Sequence, residues 1–330
     1  MHPLRPAHAL VTALAALGLV TGASASTIAA VRPVHLKPCG SAAAGVLGRA
    51  AGVVAARIYT GELASAETRS DQRQVESYAP LLAAVAAGEA GAIEAAVAEL
   101  VYSHTHIVRL RVTKGSTVLA DVGGPYILAP VGGSLRLHGR TIAHYVFSVQ
   151  DDLGYVKLES RFLGVPVVLR QGSRQVPVEG ELAGAPAAIP TQGPLRIAGV
   201  AYQAYSFKAA AFPSGPLRIS ILVPLPARLS HMSCLSVRGT ELGIVAQRIA
   251  RRFTLTPTSL ADYVRFTATL TGGLLYVREG SRTLAGSTRA APVRLPGTGQ
   301  LKFRGHTYTI YSFAAETTTG PVRIYHLSPP

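Results

Sequence analysis

The 330-residue sequence predicts an α+β chain in which helices come first and antiparallel sheets follow. Two observations carry that expectation. Apolar residues recur at three- and four-residue spacing as far as Ser103, and beyond it the pattern turns to alternation broken by Gly and Pro. A third observation is recurrence, because Gly, Pro, Leu and Tyr positions of the strand-rich part return at fixed offsets.

From Cys39 onward, Leu47, Ala50, Val54 and Ile58 fall on one helical face, with Arg49 and Arg57 elsewhere on the wheel. A second helical stretch follows Asp71 and is interrupted at Pro80, which has no amide donor to continue it. Ile93, Val97, Leu100 and Val101 mark a further amphipathic helix. The period then changes to two. Val108, Leu110 and Val112 alternate with Arg109, Arg111 and Thr113, and Lys114-Gly115-Ser116 turns the chain into a second strand, which reads as a hairpin.

Pro130, Gly133, Leu135, Arg136, Gly139 and Tyr145 reappear 60 residues later as Pro190, Gly193, Leu195, Arg196, Gly199 and Tyr205. A further 106 residues on, Pro296, Gly299, Leu301, Gly305 and Tyr311 continue the series. Tyr155-Val156 and Gly172-Ser173-Arg174 match Tyr263-Val264 and Gly280-Ser281-Arg282 at an offset of 108. So small a drift makes 152–224 and 262–328 two copies of one unit, with 106–150 a looser match. Each unit reads as a helix, a hairpin turned at Gly-Ser, a Pro/Gly-rich crossing, and two long strands joined by a Gly-Pro turn. In the last strand of the first copy, Leu217, Ile219, Ile221 and Val223 alternate with Arg218 and Ser220, giving one dry face and one wet or intermodule face. A Cys234-led helix bearing Leu242, Val245, Ile249 and Phe253 opens the second part, so the expected divisions are 39–232 and a smaller, related 233–330.

Composition narrows the function. Lys and Arg outnumber Asp and Glu by 32 to 17, a formal charge of +15, which suits acidic surfaces or anionic small molecules. With no Trp and 6% aromatic residues, stacking platforms for bases are few, so no specific nucleic-acid partner is expected. No Cys/His cluster approaches zinc spacing; His104 and His106 share a strand face but lack a third ligand, and neither metal nor cofactor is expected. The nucleophile elbow, the zinc-protease, phosphate-loop and dinucleotide motifs are all absent, so the chain reads as a non-enzyme.

Residues 1–25 read as an export signal cleaved after Ala25, with 26–38 as a linker. An uncleaved anchor stays open, because the uncharged stretch runs 23 residues to Val31. No second span is expected. The location is secreted or attached to the cell envelope, where Cys39 and Cys234 are expected to form one disulfide.

The stretch Asp121-Val122-Gly123-Gly124-Pro125-Tyr126 through Ser148-Val149-Gln150-Asp151-Asp152-Leu153-Gly154-Tyr155 resembles the extracytoplasmic Cache (PDC-type, PAS-like) sensor domains of bacteria. The resemblance covers 66–224 and, as a decayed repeat, 235–328. It implies antiparallel sheets, a small-molecule pocket between the concave sheet face and the crossing loops, and a long helix that relays or dimerises. Without Trp, the Arg/Trp amino-acid recognition pattern of one Cache subset is incomplete. Under this resemblance Asp121, Tyr126, Arg136, Tyr145, Phe147 and Asp151 are the candidate ligand-binding residues. Structural roles stand beside these: Asp121 as a cap on the turn at Gly123-Gly124, Asp152 as a helix cap, and the recurring Tyr145, Tyr205 and Tyr311 as packing.

The expected function is an exported, small-molecule-binding, sensor-like protein. It has no output domain of its own and signals through a separate membrane-bound partner, with a homodimer through the N-terminal helices as a further partner. The alternative is an envelope scaffold or adhesion protein that holds an anionic polymer on Arg-rich sheet faces such as Arg109 and Arg111.

Overall fold

The computed structural model describes residues 37–103, 106–125, 127–176, 182, 184–213 and 215–330. The export signal at 1–25, most of the linker, His104 and Tyr126 lie outside the described residues.

Helix α1 (Ala43–Leu63) is built on the expected face: Leu47, Ala50, Val54 and Ile58 are all buried. Ser65 then caps α2 (Ala66–Ser77), its hydroxyl accepting from the Thr68 amide at 2.9 Å. The helix therefore starts before Asp71. Pro80 opens α3 (Ala79–Ala87) instead of ending a helix, since the first turn needs no amide donor there, and Gly88 in the left-handed region closes it. Helix α4 (Ala90–Tyr102) presents Ile93, Val97, Leu100 and Val101 inward.

Helices α2, α3 and α4 lie on a sheet made from β1 (Arg109–Lys114), β2 (Thr117–Gly123), β4 (Val131–Leu137) and β5 (Arg140–Ser148), in the order β2-β1-β5-β4. The inner face carries Leu110, Val112, Leu135, Ala143, Tyr145 and Phe147 against Val75, Leu81, Val97 and Leu100, which makes a core of its own. Short strands β3 (Ile127–Leu128) and β6 (Gln150–Asp151) leave this sheet and pair with each other, and β3 also pairs with β11 (Ala211–Phe212) of the next module.

The second module is α5 (Asp152–Leu163), β7 (Val167–Gln171), β8 (Arg174–Gln175), β9 (Gln192–Ile197), β10 (Val200–Ala209) and β12 (Leu217–Pro224), in sheet order β8-β7-β12-β10-β9. After α6 (Cys234–Ala250) the third repeats the series: α7 (Leu260–Thr271), β13 (Leu274–Glu279), β14 (Arg282–Gly286), β15 (Thr298–Phe303), β16 (His306–Thr317) and β17 (Gly320–Ser328), in order β14-β13-β17-β16-β15. N-terminal helices followed by antiparallel sheets are thus the architecture, as expected.

The strand count differs from the sequence reading. Three sheet strands, not two, follow the crossing in the second and third modules, because Gly199 and Gly305 close a tight hairpin ahead of the last strand; Gly139 closes the matching β4–β5 hairpin of the first. His138, Ala198 and Arg304 precede them with φ near +50°, so both central residues are left-handed, the geometry that matches the twist of paired strands. Strand β12 also differs, for Ser220 and Leu222 are as buried as Ile219 and Ile221. It sits in the middle of its sheet, with the main core on one face and a smaller cluster of Val168, Ile197, Tyr202 and Ala204 on the other.

Helix α1 does not pack on the module that follows it. It lies on β10 and β12, where Gly48 and Gly52 let it approach Gln203 and Tyr205. Helix α6 lies on β16 and β17 in the same way, with Gly239 and Gly243 against Thr309 and Tyr311. The two helices pack on each other, and Cys39 is joined to Cys234 by a disulfide at their starts, with Cα atoms 4.8 Å apart. Contacts across this seam are reciprocal. Arg57 on α1 donates to the Leu270 carbonyl at the end of α7 (3.0 Å), and Arg248 on α6 donates to the Leu163 carbonyl at the end of α5. Tyr155 donates to the Ala55 carbonyl at 3.4 Å, and Tyr263 to the Ala246 carbonyl at 3.1 Å.

Candidate functional site

The six expected ligand residues fall in separate places. Tyr145 and Phe147 belong to the core of the first module, and the Tyr145 hydroxyl donates to Glu76 Oε1 at 2.7 Å. Burial and the neighbouring Glu76 charge push the Tyr145 pKa up, so it stays protonated. Arg136 is exposed on β4, beside a shallow cleft it shares with Glu76 and Ser134. Asp121 lies on the outer sheet face, where its carboxylate takes Arg109 Nε at 2.7 Å and Arg111 Nη2 at 2.5 Å. Those two guanidiniums hold its carboxyl below the ordinary range against the opposing effect of burial, and both lie over the Phe212 ring. Asp121 is therefore an ion-pair partner and not the cap of a turn.

Asp151 caps α5, and its Oδ1 accepts from the Gly154 amide at 2.5 Å. The cap sits one residue before the Asp152 expected from sequence, because the helix begins at Asp152. A Cβ at Gly154 would press on Asp151 Oδ1 and Gln150 Nε2, so a larger residue there would make those two side chains shift.

Asp151 also lines a wider opening. A cleft of about 740 Å³ lies where the first and second modules meet. The end of α1 supplies Glu62, the first turn of α2 Glu67, the end of α4 Tyr102, and the lead into β1 His106 and Ile107. Val149, Gln150 and Asp151 close it with Leu158 of α5. His106 Nδ1 lies 2.9 Å from Glu67 Oε1, but both side chains are largely exposed, so the pair adds little to stability. Glu62 is half-buried; that burial, and then the Glu67 charge, raise its pKa.

Behind the cleft the acidic character continues. Glu159 on α5 is fully buried, with neither carboxyl oxygen hydrogen-bonded, and burial raises its pKa to about 8 despite the Tyr155 hydroxyl beside it. Tyr155 lies beside it, and burial, then its neighbour Glu159, push the Tyr155 pKa well up. Three carboxyl groups around one opening, in a chain of charge +15, make a local cation-attracting site. Among the described residues, no three His, Cys, Asp or Glu side chains converge as metal ligands.

No family model and no curated protein sequence matches the chain. Solved structures do match it. The periplasmic domain of Vibrio cholerae LuxQ aligns with 87% of this chain and 98% of its own, at 6% identity and a TM-score of 0.16. The ligand-binding domain of Mlp24 with asparagine aligns with 86% of this chain and 95% of its own, at 8% identity and a TM-score of 0.18. Superpositions this loose fix no topology, and the α+β class rests on the strand orders themselves.

Two buried arginines escaped the sequence reading. Arg170 on β7 reaches the carbonyls of Ser173 (3.0 Å), Ala185 (3.3 Å) and Pro186 (2.7 Å), tying the crossing segment to the outer sheet face. Arg278 on β13 does the same with Pro292 and Val293. They stand 108 residues apart, the offset of Tyr155 and Tyr263, so the recurrence itself held the signal.

Proposed function

We propose that the protein is an exported, sensor-like binding protein, with no catalytic role, whose ligand is a small cation seated between the first two modules. The observation that carries this reading is the acid-lined cleft of Glu62, Glu67 and Asp151 in a strongly basic chain. The walls suit an amine with an apolar stem: carboxylates receive the charge, and Ile107, Val149 and Leu158 cover carbon. The disulfide favours an extracytoplasmic location.

The site draws on both modules, so occupancy biases their relative arrangement only as far as the ligand binds one arrangement better. A membrane partner would read that bias. The matching strand orders and the reciprocal contacts of α1 and α6 support descent of the second and third modules from one unit. The scaffold reading has less behind it, since Arg109 and Arg111 are paired with Asp121.

Thermal-shift and calorimetric titration with putrescine, lysine and spermidine tests the reading, with succinate as the anionic counterpart. An amine is expected to raise the midpoint, and Glu62→Gln with Glu67→Gln to remove the response. Silence toward all three amines, or a response kept by the double variant, refutes it.

A further inference from the structure

We propose that the end of the molecule where α1 and α6 begin rests on a membrane surface and binds acidic phospholipid headgroups. Charge is unevenly divided along the chain. Residues 37–181 carry fourteen Lys and Arg against thirteen Asp and Glu, whereas 182–330 carry sixteen against four.

Strand register shows what gathers at that end. Helix α1 advances alongside β10, since Gly48 meets Gln203 and Gly52 meets Tyr205, and α6 advances alongside β16, since Gly239 meets Thr309 and Gly243 meets Tyr311. Followed backwards, β10 reaches its hairpin tip at Ala198-Gly199, and β16 its tip at Arg304-Gly305, on the side where the two helices begin. The Cys39–Cys234 bond joins those beginnings. The Leu225 amide donates to the Ala201 carbonyl at 3.1 Å, which brings Arg228, three residues later, to the same place. Lys37, Arg196, Arg228, Lys302 and Arg304 thus share one end, and all five are exposed.

These cations are free of acids. None of them enters an ion pair between described residues. Arg196 donates to the Gly199 carbonyl at 2.8 Å and Arg304 lies over the Phe303 ring at 5.3 Å, contacts that orient a guanidinium without neutralising it. Arg238 is already taken by Pro330 and contributes no free charge. Of the four acids after 181, Glu241 is buried on α6, and Asp262 and Glu279 are paired with Arg265 and Arg282. Glu316 stands beside the β16–β17 turn, at the opposite end of those strands.

Apolar residues at the tips favour a bilayer over a soluble polyanion. Val200 is 46% exposed at one tip, and Phe303 is partly exposed at the other. A headgroup region covers such side chains, and a hydrated polymer leaves them wet. The route of the chain agrees. The uncharged stretch from Ala9 to Val31 ends six residues ahead of Lys37, and a chain emerging from the bilayer there brings this end to the surface first.

The chain contains no Trp, so a single introduced Trp reports one position. Full-length Val200→Trp and Phe303→Trp are titrated with phosphatidylglycerol vesicles at about 0.1 M salt. Their emission is expected to shift to the blue and to be quenched when the lipid is brominated. Val118→Trp, 51% exposed on β2 of the first module, is expected to show neither change. Phosphatidylcholine vesicles and soluble polyphosphate are expected to shift none of the three. In the Val200→Trp chain, Lys302→Gln with Arg304→Gln is expected to weaken vesicle binding by about tenfold or more, at about fivefold per cation. Arg251→Gln with Arg252→Gln, the same loss of charge at the far end of α6, is expected to leave binding unchanged. Should Phe303→Trp fail to fold, Val200→Trp alone carries the test, because that side chain is exposed. No shift at the tips, an equal shift with phosphatidylcholine or polyphosphate, the same response at Val118→Trp, or equal losses in the two double variants overturns the proposal.

Discussion

Replacing Glu159 by glutamine removes a proton-binding group from the interior while nearly preserving its shape. The Glu159 carboxyl is fully buried without a hydrogen bond to either oxygen, and its pKa rises from 4.5 to about 8. Between those values the folded chain holds a proton that the unfolded chain has released. Stability from this group is therefore complete below about pH 4.5 and is lost as pH rises through about 8, at about 1.4 kcal/mol per unit and about 5 kcal/mol in all. Glu241 acts with the same sign up to about 7, also through burial. His326 acts oppositely: its depressed pKa adds stability as pH rises from about 3 to 6.5 and nothing beyond. The difference between wild type and Glu159→Gln isolates the one group. Guanidinium unfolding without reductant, at about pH 5.5 and about pH 7.5, is expected to cost the wild type about 3 kcal/mol more than the variant. Equal losses in the two proteins would refute the assignment of a proton to Glu159.

Four other outcomes can be checked by denaturation or calorimetry. Gly52→Ala is expected to destabilise by about 2–3 kcal/mol, because its Cβ would enter the Tyr205 ring, whereas Gly61→Ala, open on the same helix, is expected to stabilise by about 0.5–1 kcal/mol. Loss of the Cys39–Cys234 bond, which closes 195 residues, is expected to cost at most about 5 kcal/mol, and no change in midpoint with reductant would contradict a bond in solution. Asp151→Ala is expected to cost about 1 kcal/mol as a lost cap and also to weaken any amine response, while Asp151→Asn should restore stability without restoring the response. Arg170→Ala is expected to cost about 2–3 kcal/mol by leaving the Ala185 and Pro186 carbonyls without donors, and unchanged unfolding would show the crossing to be held otherwise.

Most of the fold was legible where one period dominated. Leu47, Ala50, Val54 and Ile58 mark α1 because a single helix face is buried, and Leu110 with Val112 marks β1 for the same reason. Strand β12 was misread because both its faces are covered, so Ser220 is polar by residue type and dry by position. The extra hairpins were written in the recurring Gly199 and Gly305, yet Ala198 and Arg304 are unusual residues for left-handed turn positions and hid the motif. The acidic cleft had no local signature, since Glu62, His106 and Asp151 lie far apart in sequence and meet only through packing. Of the residues lining it, Asp151 was singled out beforehand through the resemblance to Cache sensors, and His106 only as one of two histidines on a strand face.

The chain leaves α1 after Leu63 to build the whole first module, then returns through Gln150 and Asp151 to begin α5 beneath the sheet on which α1 already lies. That module is therefore an excursion held by two neighbouring passages at its root and by the pairing of β3 with β11, and the acidic cleft opens between the passages. A molecule lodged in the cleft would touch α1 and α5 on one side and α2 and α4 on the other, adding a further tie between the excursion and the passages it leaves from.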